Sequence, residues 1–193
     1  MENSMRVVRN KISVRDMAFA ALFAAVLSAV APFAISIGPI PLSLATLVVY
    51  LAAGTLDWKL GAVSVVLYIM LGAVGVPVFS NFQGGFYKIV GLTGGFIIGY
   101  IPCALATGII IKLFGGAKPH VNNLLAYALG MVIGTILLYT CGTAWFVLQS
   151  GNPLAASIAI CVTPFLPGDA IKIVLACLIG PQLRKAMEFV KRR

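Results

Sequence analysis

The sequence predicts an all-α integral membrane protein, one bundle of six transmembrane helices with both termini in the cytoplasm. Three observations carry that reading. Of the 193 residues, 61% are hydrophobic and only 10% are charged, which is more apolar surface than a soluble domain of this length can bury. Six apolar runs alternate with short polar or glycine- and proline-rich connections, the pattern of a multi-span protein. The bases gather outside the runs: Arg6, Arg9, Lys11 and Arg15 precede the first, and Arg184, Lys185, Lys191, Arg192 and Arg193 follow the last. The net charge of +9 therefore reads as topology signals and headgroup contacts, not as a nucleic-acid surface. Residues 1–193 form a single domain, with 1–15 a basic cytoplasmic N-terminus and 184–193 a basic cytoplasmic tail.

The first run, residues 16–33, opens at Arg15-Asp16 and stops near Pro32. Its basic start and Ala29-Val-Ala31 imitate a signal peptide, but Pro32 and further apolar sequence after it favour a retained span. Ala20 with Ala24, and Ala21 with Ala25 and Ala29, form ladders at four-residue spacing. Such ladders let a helix approach closely, whether from this chain or from a partner. Ser36-Ile-Gly-Pro-Ile-Pro41 is a turn, because two prolines and a glycine exclude regular helix. The second run, 42–56, is short and closes at Asp57-Trp58-Lys59, where Trp58 suits an interface anchor. The third, 60–74, is also short.

Residues 75–88 make a long glycine-rich connection, too aromatic for a disordered linker. Long loops of this kind are often functional lids. Asn81 and Gln83 offer amide groups, and Phe79, Phe82, Phe86 and Tyr87 offer an apolar cover. The competing reading is a surface loop held by its aromatics. The fourth run, 91–114, repeats glycine at 91, 95 and 99, a close-approach face. His120, in the polar turn that follows, reads as a solvated loop residue. The fifth run, 123–149, carries Gly130 and Gly134 and ends in Tyr139, Thr140, Thr143, Trp145 and Gln149. That end is unusually polar, and Trp145 is either a belt residue or a cavity wall. An apolar turn near 154–161 leads to the last run, 167–183.

With the N-terminus inside, Lys59, Lys112 and Lys118 join both termini on the cytoplasmic side and Lys88 alone falls in an outer loop. That asymmetry obeys the positive-inside rule. It brings the 36–41 turn, the 75–88 loop, the polar end of the fifth run and Asp169 with Lys172 to the outer surface. Asp169 and Lys172 share one helix face, three residues apart. Asp169 sits in a first turn, where the helix dipole favours it. Lys172 gains nothing from the dipole and needs Asp169 or an anionic ligand. The pair is either a neutralised packing element or the polar anchor of a small ligand, since ionisable residues at membrane depth are costly and tend to be functional.

No P-loop, His-Glu-x-x-His, nucleophile elbow or Cys/His cluster occurs. Cys103, Cys141, Cys161 and Cys177 lie in or beside apolar runs and read as small packing residues. Nor do the runs form two matching halves, as in inverted-repeat carriers. The sequence thus offers binding groups with no energy source, no metal and no catalyst.

Gly75-Val-Pro-Val-Phe-Ser-Asn-Phe-Gln-Gly-Gly85, Gly91-Leu-Thr-Gly-Gly-Phe-Ile-Ile-Gly-Tyr100 and Pro167-Gly-Asp-Ala-Ile-Lys172 together resemble BioY, the biotin-binding S component of energy-coupling-factor (ECF) vitamin transporters. The resemblance spans nearly the whole chain. Leu92 and Phe96 stand where the family commonly has Pro and Tyr, while the glycines and Thr93 are kept. It implies a capture subunit of the bacterial plasma membrane, without enzyme activity or cofactor, that takes up biotin. It also implies a transmembrane coupling protein and two cytoplasmic ATPases as partners, with the Ala20/Ala24 and Ala21/Ala25/Ala29 ladders docking on the coupling protein. The implied biotin site comprises Asp169, Lys172, Asn81, Gln83, Phe79, Phe82, Gly84, Gly85, Phe86, Tyr87 and Thr93. Another vitamin, thiamin or riboflavin, and a ligand-free assembly subunit are the alternatives.

Overall fold

The computed structural model describes residues 13–36, 39–114 and 121–192. The expectations for Arg6, Arg9, Lys11, Lys118 and His120 lie outside them. Helix α1, Val14–Val30, starts earlier than the apolar run because Ser13 caps it: Ser13 Oγ accepts from Arg15 N–H and Asp16 Oδ2 accepts from Ser13 N–H. Such reciprocal capping satisfies backbone donors that a helix start leaves open. The expected turn after it lies between two paired strands, with residues 37 and 38 outside the described residues. Strands β1 (Ala34–Ser36) and β2 (Pro41–Ser43) pair antiparallel with Ala34 opposite Ser43, so the chain is mostly helical rather than purely so.

Helix α2, Ala45–Thr55, is buried along almost its whole length and packs against α3 (Trp58–Ala73), α5 (Gly94–Phe114) and α8 (Leu166–Arg192). Short α4 (Phe86–Val90) follows the glycine-rich loop, and α7 (Leu154–Cys161) fills the connection between α6 (Val121–Ser150) and α8. The tightest pairing is α5 on α6, and the glycine spacing explains it. A Cβ on Gly99 would stand 3.1 Å from Leu138, and one on Gly130 would stand 2.9 Å from the Thr107 carbonyl. Trp145 packs on Gly95 and donates to the Gly91 carbonyl at 2.9 Å.

Three helices are long and apolar enough to cross a membrane, over Gly94–Phe114, Leu124–Ser150 and Leu166–Val190. The eleven residues of α2 rise only about 16 Å at 1.5 Å each, half of a typical hydrocarbon core. Large apolar side chains such as Val14, Leu22 and Leu148 lie exposed on the bundle, as a lipid-facing surface requires. The last helix also departs from expectation. It runs through Pro181 into the basic segment, because Met187 is buried against Ala20, Leu56 and Leu60 and Arg184 pairs with Glu188 one turn on. Residues 184–192 are therefore the end of α8 and not a separate tail.

Candidate functional site

The first turns of α8 and α2 meet beneath the hairpin. Asp169 is 4% exposed and Lys172 6%, and Lys172 Nζ lies 2.7 Å from Asp169 Oδ1. The ammonium also donates to the Ser43 carbonyl at 2.7 Å and to Thr46 Oγ1 at 2.9 Å. Its three protons are thereby all engaged. The Thr46 hydroxyl in turn donates to Asp169 Oδ1 at 3.2 Å, and Tyr139 donates to Oδ2 at 2.5 Å. A buried ion pair tolerates low dielectric only when hydrogen bonds satisfy what the pair leaves over. Here Ser43 of β2, Thr46 of α2 and Tyr139 of α6 do so.

Two small cavities, each about 40 Å3, adjoin this network and share Ile40, Pro41, Phe96 and Tyr100 as walls. One contains Asp169, Lys172, Thr46 and Tyr139; the other reaches Tyr68, Phe79, Lys88 and Thr93. They are the two ends of one cleft roofed by the hairpin tip. On the hairpin's other side a larger cavity of about 530 Å3 is lined by Phe33, Ile35, Leu44, Asn81, Phe82 and again Lys172. Lys172 thus stands on the wall between the roofed cleft and an apolar vestibule.

The structure brings some of the expected residues to this region and not others. Phe79 is buried edge-on against Tyr68 and, with Thr93, lines the cleft. Asn81 and Phe82 line the vestibule, both in left-handed backbone conformations; Asn81 Nδ2 donates to Ser36 Oγ at 3.0 Å, tying the loop to the hairpin. Gln83 pairs through its backbone with Phe79, and its Oε1 is buried without a partner. Gly84 and Gly85 act through the backbone: a Cβ on Gly84 would stand 2.8 Å from the Gly75 carbonyl, and Gly85 has φ 103° at the start of α4. Phe86 and Tyr87 are exposed on α4 and are absent from the walls of both cavities that contain Lys172.

Sequence reasoning missed Ser43, Thr46, Phe96, Tyr100 and Lys88 as members of the site. Lys88 had a signal, being the one base assigned to an outer loop. The alanine ladders divide. Ala21, Ala25 and Ala29 are exposed, but Ala20 and Ala24, 1% and 3% exposed, are consumed by packing inside the bundle and offer nothing to a partner.

The BioY family model matches residues 3–189. The chain belongs to the BioY family. Two relatives are each 34% identical over 173 residues: the biotin transporter BioY of Thermotoga maritima, with 89% of this chain and 97% of that protein covered, and the probable biotin transporter BioY of Pyrococcus horikoshii, with 90% and 98%. Among solved structures, the S-component for biotin from an ECF-type ABC transporter superposes with a TM-score of 0.82 at 28% identity, covering 91% of this chain and 94% of that one. The hairpin-roofed cleft therefore sits in a fold shared with an S-component for biotin.

Proposed function

We propose that this chain is the biotin-capturing S component of an ECF-type transporter and that the roofed cleft is its biotin site. The observation that carries the reading is the buried Asp169–Lys172 network opening on one side to an aromatic cleft and on the other to the vestibule. Biotin offers matching chemistry: two ureido N–H donors, a carbonyl acceptor, an apolar thioether ring and a carboxylate tail. Asp169 accepts from a ureido N–H, while Lys172 exchanges its bond to the Ser43 carbonyl for one to the ligand. Phe79, Phe96 and Tyr100 flank the apolar ring, with Thr93 and Asn81 as further polar contacts and Gln83 as a reserve acceptor. Small-molecule pockets usually measure about 300–1,000 Å3, so pieces of about 40 Å3 require the hairpin to lift on binding. Phe82 stands beside that path; Gly84 and Gly85 shape the loop, and Phe86 and Tyr87 complete its outer rim.

The remaining parts follow from the same reading. Six helices, α1, α2, α3, α5, α6 and α8, span a bacterial plasma membrane with both termini in the cytoplasm, the short α2 prolonged by the hairpin. The transmembrane coupling protein docks on the exposed Ala21/Ala25/Ala29 row, and two cytoplasmic ATPases supply the energy. No cofactor is involved, because biotin is cargo.

Calorimetric titration of the purified chain with biotin, thiamin and riboflavin tests the ligand. Tight binding of biotin alone is expected, and silence toward biotin sinks the proposal. Ala25→Leu tests the docking row: biotin binding is retained and uptake with the partner subunits is lost.

A further inference from the structure

A second cavity, of about 240 Å3, lies at the opposite end of α2 and α8, about 22 Å along α8 from Asp169 at 1.5 Å per residue. Its polar lining is Asp57, Lys112, Arg184, Glu188 and Thr55. Two acids face two bases, so the cavity has no net charge and favours neither a simple anion nor a simple cation. Both ion pairs are loose. Lys112–Asp57 measures 4.0 Å and Arg184–Glu188 3.4 Å, and all four side chains are between two-fifths and two-thirds exposed. Pairs of that kind are worth little and exchange readily. Thr55, only 6% exposed, has a buried Oγ1 without a hydrogen-bond partner, and such a group ordinarily finds one. Leu56 and Met187 give the cavity an apolar floor. It lies near the ends of α2, α5 and α8.

We propose that this cavity holds a phosphoethanolamine-type zwitterion, most simply the headgroup of a membrane phospholipid. The ammonium takes the carboxylates of Asp57 and Glu188, the phosphate takes Lys112 and Arg184, and the Thr55 hydroxyl donates to a phosphate oxygen. The volume equals that of about eight waters, enough for the few heavy atoms of phosphoethanolamine. A zwitterion satisfies all four charges at once, which two long and half-exposed pairs do not. The site is independent of the biotin reading, since none of its residues belongs to the cleft.

Native mass spectrometry of the full-length protein, delipidated and then offered equal phosphatidylethanolamine and phosphatidylglycerol, reads the preference. Phosphatidylethanolamine is expected to be retained at least tenfold over phosphatidylglycerol. Asp57→Asn with Glu188→Gln should remove that preference, and Thr55→Val should lower retention severalfold, with biotin affinity unchanged in each. Soluble phosphoethanolamine, titrated by calorimetry, separates the sources: binding there assigns a free zwitterion, and lipid-only binding assigns a headgroup. Equal retention of the two lipids together with no phosphoethanolamine binding, or a preference untouched by the double substitution, overturns the proposal.

Discussion

One helix, α8, carries an acid and a base at each of its ends, and the two couples could hardly differ more. Asp169 and Lys172 lie 2.7 Å apart, almost fully buried, with Ser43, Thr46 and Tyr139 taking up the remaining hydrogen bonds. Arg184 and Glu188 lie 3.4 Å apart and are 41% and 57% exposed. The same chemical groups thus make a fixed element at one end and an exchangeable one at the other. What separates them is the depth of burial and the number of neutral partners, not the charges. At the buried end, water cannot replace a lost partner, so each bond matters. At the other end, water or a ligand can replace it at little cost.

The largest expected effect is at the buried end. Lys172→Met strands a carboxylate and should cost about 3–5 kcal/mol, seen as lower thermal stability and at least a hundredfold weaker biotin binding by calorimetry. Unchanged affinity would remove the couple from the ligand site. Pairing it with Asp169→Leu sharpens the comparison, since replacing both members of a buried pair is often neutral or stabilising. The double variant should regain most of the lost stability while biotin binding stays absent, which separates holding the fold from holding the ligand. Tyr139→Phe removes one hydrogen bond to a carboxylate, worth about 1.5–3 kcal/mol. Biotin affinity should fall about tenfold or more, with the helical circular dichroism intact. Glu188→Gln is expected to change unfolding free energy by less than about 0.5 kcal/mol. A loss as large as that of Lys172→Met would show that the two ends are alike after all.

The apolar runs were readable because a long helix announces itself over many residues. That α5 and α6 carry close-approach faces was readable too, through glycines at four-residue spacing, though not that the two faces meet each other. The hairpin was not: strands of three residues are too short to show alternation, and their pairing depends on a tip that places Ser36 opposite Pro41. Asp169 and Lys172 stood out because charge is rare in this chain, whereas Ser43 and Thr46 are small polar residues of the sort any apolar helix can start with. Their role exists only once α2 is set against α8. The alanine ladders failed in part for the same reason. Spacing shows which residues share a face but not which of two adjacent faces looks inward, and only packing assigns Ala20 and Ala24 to the interior.

The group that fastens the hairpin to Lys172 is a peptide carbonyl, that of Ser43. Every amino acid placed at position 43 would supply the same oxygen. A saturation screen at that codon would read only the buried Ser43 side chain, which accepts from Ala45 N–H at 3.1 Å, and not the backbone oxygen that holds the roof of the cleft shut. Replacing the amide after Ser43 by an ester weakens that oxygen as an acceptor and leaves the side chain untouched. Faster biotin entry in the ester-containing protein would expose a contact to which genetic selection is blind.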